Sequence, residues 1–306
     1  MRRARVRAIA LREWRETVFN KSFLVVSLLV PGLMVGVSLL PGWIATRQGI
    51  EQMPDNAVRA GGPQLLALLL MIFLFLGVTS QSQALLRSVM EERSSRMVEV
   101  LLSSIEPLEL LVGKIIGYAA VSMTQFMVWI GAGFALSAVL GMPPLLRLLG
   151  SAGPRMTLLF LSCYAVGYLI YASLYTLLAS VVSAEREAYL YQQLFALVLV
   201  SPFVITIALV ANPAGATARQ LTWVPLFTPT MLLMRAALGE VPMPVIAGSL
   251  TTGALTSAVL LVIASRLFRG TTLLAVRRVP LRDVWNESQL RKRNANNESA
   301  TAKGKM

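Results

Sequence analysis

Six stretches of this chain, about 23–45, 64–86, 115–140, 156–183, 191–211 and 245–267, are apolar and carry no charge in their interior. A stretch of ~18 or more such residues is long enough to cross the hydrocarbon core of a bilayer. No water reaches the backbone there, so a spanning segment must be a helix or part of a closed barrel. The short alternating segments of a barrel are absent, which leaves helices. Composition agrees: 14% of residues are charged, against roughly 25% in a soluble domain, and the mean hydropathy is +0.66. The expected fold is all-α and integral to the membrane, with six transmembrane helices. Residues 1–285 form one membrane domain on this reading. Segment 286–306 is polar, basic and low in large apolar residues, and is expected to be a disordered tail.

The formal net charge of +13 is placed for a membrane, not for nucleic acid. Lys and Arg number seven in residues 1–22, four in the loop after the second run, one after the fourth and ten from Arg266 onward, which makes 22 on one side. The other three loops hold six. Basic residues collect on the cytoplasmic side, so both termini are expected inside a bacterial-type cell membrane, in contact with anionic lipid. The basic leader is long and no small-residue cleavage site follows the first run, so a cleaved signal peptide is not expected.

Three segments outside the runs are organised. In residues 1–22, Val6, Ile9, Ala10, Trp14 and Val18 recur at helical spacing among arginines, the pattern of an amphipathic helix lying in the membrane interface. In the inner loop 87–114, Met90, Met97, Val98, Leu101, Leu102 and Ile105 keep a helical period beside Glu91, Glu92, Arg93, Arg96 and Glu99. The second span therefore extends into the cytoplasm. Ser103 and Ser104 break it, and Pro107 opens a new short helix with Glu109 near its start. An apolar stripe on such an excursion needs a cover, either the bilayer surface or a protein. In the outer segment 212–244, Thr228 is placed to cap, Pro229 to start and Gly239 to end a helix. About ten residues rise only ~15 Å, half the hydrocarbon core, so a re-entrant helix is expected there rather than a span.

Chemistry that would make the chain self-sufficient is missing. There is no histidine and one cysteine, Cys163, so the commonest general base and any internal disulfide are excluded. No G-x-x-x-x-G-K-[ST] phosphate loop, metal-ligand pattern or G-x-S-x-G elbow is present, and no catalytic, cofactor or metal residue is assigned. The spans hold no interior carboxylate of the sort that proton-coupled carriers use. Polar groups remain. Tyr164, Tyr168, Tyr171 and Tyr175 share one helix face, and Gln125 and Thr124 lie in the third span. They fit either the lining of a translocation path or helix-to-helix hydrogen bonds. Gly113-x-x-x-Gly117, Gly131-x-x-x-Ala135 and Gly253-x-x-x-Ser257 permit close helix approach. Pro31 and Pro202 sit inside spans and are expected to kink them.

The inner-loop string from Glu91 through Ser104, followed by Pro107 and Leu111-Val112-Gly113-Lys114, resembles the permease family of type-2 ABC exporters. So do the stretch from Phe227 to Pro242, the Arg12-Glu13 region and residues 266–285; the likeness covers roughly 5–285. It implies six spans, an N-terminal interfacial helix, a cytoplasmic coupling element between the second and third spans, and an outer re-entrant helix before the sixth. Two permease units, identical or homologous, would pair with two separate ATPase subunits, which would carry ATP and Mg. Glu92, Arg93, Arg96 and Glu99 would then make polar contacts with the ATPase, and Met97, Leu101 and Leu102 would pack against it. Members linked to sodium or drugs carry a large external domain between the first two spans. Here that connection is only about 46–63, so a sodium cargo is not carried over. The expected function is substrate efflux driven by ATP hydrolysis on the partner. A secondary transporter or channel, or a non-transporting scaffold, are the alternatives.

Overall fold

The computed structural model describes the backbone of residues 2–21, 55–94, 106–140, 153–182 and 185–277, with single positions at 23, 25, 27, 29 and 32. Among the described residues the regular elements are all helices: α1 Arg2–Val18, α2 Asp55–Ser94, α3 Pro107–Leu140, α4 Gly153–Val181, α5 Glu185–Ala208, α6 Ala216–Leu221, α7 Thr228–Leu238 and α8 Met243–Arg277. Five stretches are long and apolar enough to cross a membrane: Ala67–Glu92, Pro107–Ala132, Gly153–Val181, Leu190–Ala208 and Met243–Phe268. They match five of the six expected runs. The run 23–45 and the tail 286–306 lie outside the described residues, apart from the single positions named. At 40 residues, α2 rises about 60 Å, twice the ~30 Å hydrocarbon core, so it must project beyond the bilayer.

Helix α4 is the centre of the bundle. Its span is 61% buried, against 22% for that of α5 and 17% for that of α8. α8 lies along it at close range: a Cβ on Gly253 would stand 2.6 Å from Val166 Cγ1. One turn on, Ser173 Oγ donates to the Ser257 carbonyl at 3.1 Å. The Gly253-x-x-x-Ser257 pattern thus serves the α4–α8 contact. Between α2, α3 and α4 the core is aromatic. Phe126 meets Tyr164, Phe160 and Trp129 edge-on, with ring centroids 4.4, 5.4 and 5.6 Å apart.

α1 does not stand alone at a surface; it lies against the first half of α3. A Cβ on Gly113 would meet Ile9 side-chain atoms at 2.9 Å, and one on Gly117 would meet Glu13 Cβ at 2.8 Å and the Ala10 carbonyl at 2.9 Å. The two glycines form the seat for α1. Nothing lies within 4 Å of a Cβ on Gly131, so that pattern is unused among the described residues. The seat also corrects one expectation. The segment at Pro107 is not a separate short helix but the opening of α3, which runs unbroken to Leu140. Gly113 does not interrupt it, because the position is helical and is occupied by α1.

Two further details follow from the need to satisfy backbone groups in hydrocarbon. Pro202 lies within α5 and takes away the N–H that the Val198 carbonyl would accept. Ser201 Oγ donates to that carbonyl at 2.7 Å. Thr228 is not a cap, as its place before Pro229 had implied. Its hydroxyl donates to the Thr222 carbonyl at 2.8 Å, and no side chain caps α7.

Gly117→Leu should unseat α1. Overpacking of this kind costs roughly 1–3 kcal/mol, visible as a lower melting temperature in detergent and faster tryptic cleavage at the α1 arginines. Gly131→Leu serves as the control and should change neither.

Candidate functional site

The described residues hold two polar centres and one short buried helix. The first centre lies where α1, α2 and α3 meet. Lys114 Nζ stands 2.6 Å from Glu13 Oε1 and 3.1 Å from Glu92 Oε1. It donates to Ser88 Oγ at 2.5 Å, and Ser88 Oγ donates to Glu13 Oε2 at 3.1 Å. The Lys114 side chain is 1% exposed and that of Glu13 8%. Glu13 faces Lys114 because α1 is seated on Gly113 and Gly117. Nearby, Trp14 Nε1 donates to Thr124 Oγ1 at 2.9 Å, fastening the same two helices higher up. Arg12 points outward and pairs with Glu16 at 2.9 Å. The hydrogen bond that Arg12 donates to Glu16 holds the Arg12 pKa above its ordinary value.

From Lys114 to Gln125 α3 rises about 16 Å, half the ~30 Å core. There Gln81 Nε2 donates to Gln125 Oε1, and both side chains are buried. Gln192 Nε2 on α5 donates to Gln83 Oε1 at 3.2 Å. The two glutamine pairs tie α2 to α3 and to α5 through uncharged groups. The tyrosines of α4 are all buried and divide into two kinds. Tyr168 donates to the Ile115 carbonyl at 2.9 Å and Tyr171 to the Leu199 carbonyl at 2.8 Å. The hydroxyls of Tyr164 and Tyr175 have no hydrogen-bond partner among the described residues.

The short buried helix is α7. Thr228 through Met234 are all buried, and Pro229 presses on Gly167, where a Cβ would meet its ring at 3.2 Å. Thr206 Oγ1 on α5 donates to Thr230 Oγ1 at 3.0 Å. Arg235 Nη1 reaches the buried Thr222 hydroxyl at 2.8 Å. Burial, then the nearby Arg219, push the Arg235 pKa down.

Of the residues expected to face an ATPase, Glu92 is turned to Lys114 within the chain. Arg93 lies in the last turn of α2, its side chain outside the described residues. Arg96, Met97, Glu99, Leu101 and Leu102 lie outside the described residues. The four tyrosines lie buried along α4, and Gln125 on α3 is paired with Gln81 of α2. Sequence reasoning missed Glu13, Ser88 and Lys114 as one site. The signal was a carboxylate on the α1 stripe, one turn beyond Ile9 and Ala10. It also missed Gln81, Gln83 and Gln192, though Thr79 through Gln83 are five consecutive polar residues inside a span.

Long apolar helices joined by buried polar ties define a multi-pass helical membrane protein. The chain belongs to the family described as "ABC-2 family transporter protein", whose model matches residues 45–266. It is similar to the uncharacterized protein YhaP of Bacillus subtilis, 28% identical over 242 residues, which is 76% of this chain and 56% of that one. It is also similar to the uncharacterized protein MJ1024 of Methanocaldococcus jannaschii, 24% identical over 221 residues, or 72% and 53% of the two chains. The chain thus spans little more than half the length of these curated relatives.

The division among the tyrosines is testable by thermal melting. Tyr168→Phe and Tyr171→Phe each delete a buried bond and should cost about 0.5–1.5 kcal/mol. Tyr164→Phe and Tyr175→Phe delete none and should be neutral or slightly stabilising.

Proposed function

We propose that the chain is the membrane-spanning permease of an ATP-driven exporter, moving its cargo outward with energy from a separate ATPase. The observation that carries this reading is the cytoplasmic end of α2. The helix is twice as long as the core is thick, and its inner end is tied by Glu92 to the root of α3. The polar segment 95–105 that joins these two roots is the proposed coupling element. Force applied there has a short rigid route into two spans. Arg93, Arg96 and Glu99 make its polar contacts with the ATPase, and Met97, Leu101 and Leu102 its apolar ones. Glu92, placed with them on sequence grounds, serves the tie instead.

On the same reading the protein has six spans with both termini in the cytoplasm. α1 is the interfacial helix and α7 an outer re-entrant helix. A second copy, or a homologous permease, completes the path, and two ATPase subunits hold ATP and Mg. Bilayer lipid covers the exposed apolar faces of α5 and α8, which include Leu194, Leu197, Leu255 and Val259. Tyr168 and Tyr171 fasten helices. Tyr164, Tyr175 and Gln125 keep polar groups for the path. The glutamine pairs carry no titratable proton, which favours an outside energy source over a proton-coupled carrier.

Two measurements test the proposal. Expressed with its neighbouring genes and solubilised gently, the chain should purify with an ATP-binding subunit; purification without one, together with ion-gradient-driven flux by the chain alone, would favour a secondary transporter. Glu99→Arg and Arg96→Glu, each alone, should lower ATPase stimulation in the assembled complex. Unchanged stimulation in both would remove these residues from the contact.

A further inference from the structure

The site at Lys114 goes beyond what anchoring a span requires. A lysine that only marks the edge of a membrane lays its stem along apolar surface and keeps its ammonium in water. Lys114 does the reverse: its side chain is 1% exposed and its ammonium is enclosed by Glu13, Ser88 and Glu92. These partners come from α1 and α2, while the lysine comes from α3. One cation thus stands between two carboxylates that belong to different helices. Without it the two would repel across a site with little water to screen them. The helices are close enough for this only because positions 113 and 117 carry no Cβ.

We infer that Lys114 is a positioning residue for energy transfer: its ties to Glu13 and Glu92 make α1, the inner end of α2 and the root of α3 move as one piece. The inference rests on the ATP-driven reading and deepens it. A push on segment 95–105 enters the chain at Ser94 and Glu106, at the ends of α2 and α3. If those ends were free to splay, the push would be absorbed between them. The lysine closes that gap, and α1 braces it from a third side. The Trp14–Thr124 bond joins α1 to α3 and the Ser88–Glu13 bond joins α1 to α2, whereas Lys114 holds all three helices at one point; the glutamine pair lies about 16 Å further along α3.

The charges can be removed without leaving any of them orphaned. Lys114→Met alone takes the countercharge from buried Glu13 and half-buried Glu92 and should destabilise the protein. Lys114→Met combined with Glu13→Gln and Glu92→Gln keeps the shapes and strands nothing, so its melting temperature should return towards wild type. Nitroxide labels at Ala135→Cys and Glu240→Cys, both exposed, report movement of the far ends of the helices in the complex with its ATPase. In the wild-type background, ATP with vanadate should shift the label distance. In the neutral triple variant the complex should still assemble and hydrolyse ATP, but the shift should be lost. A triple variant that shifts like wild type overturns the inference and leaves the ATP-driven reading standing. A wild-type chain that assembles with no ATPase, or shows no ATP-dependent shift, overturns the reading itself and the inference with it.

Discussion

A lysine closed off from water in a bundle of membrane helices has to be answered by charges of the opposite sign, and everything around Lys114 follows from that requirement. Its two carboxylate partners sit on helices far apart in sequence. Gly113 and Gly117 let the α1 backbone come near enough to bring Glu13 into reach. The contact in turn explains why α3 runs through Gly113 without a break and why the end of α2 is held where it leaves the bilayer. In a dry site the pairing is worth having only if it is complete; removing one partner from such a site costs roughly 3–5 kcal/mol. Ser88 adds to the pairing by bonding both the lysine and Glu13.

Several neutral groups in the bundle are answered in the same way. Gln81 meets Gln125 and Gln83 meets Gln192, so polar side chains inside the spans answer one another rather than lipid. Ser201 bonds the carbonyl that Pro202 leaves open. Tyr168 and Tyr171 reach backbone carbonyls on α3 and α5. These ties give α4 its central place more firmly than apolar contact does, because hydrocarbon side chains gain little from exchanging lipid for protein.

Function, as proposed, divides along the membrane normal. Charges gather at the inner end, where an outside energy source would act. Uncharged polar groups occupy the middle. The outer end is stopped by α7, whose Pro229 fits against Gly167. A chain arranged this way holds its fixed charges where they transmit force and keeps them out of the cargo's way.

Much of the architecture was legible in the sequence, because the bilayer imposes a length and a period that composition displays directly. Five of the six apolar runs coincide with long helices, and α7 is short, as the eight residues from Met231 to Leu238, seven of them apolar, require. The glycine patterns were visible too, but not which of them would be occupied: Gly113, Gly117 and Gly253 are filled by neighbours, and Gly131 is not. Likewise Glu92 looked outward in sequence, among other charges, and proved to belong to an inward pair. Thr228 looked like a cap and bonds a carbonyl six residues back. The sequence by itself determined that this is a helical membrane protein, since hydrophobic length is a local property. Only the tertiary structure decided that Glu13, Glu92 and Lys114 are one site, since three residues from three helices acquire a common environment only when those helices meet.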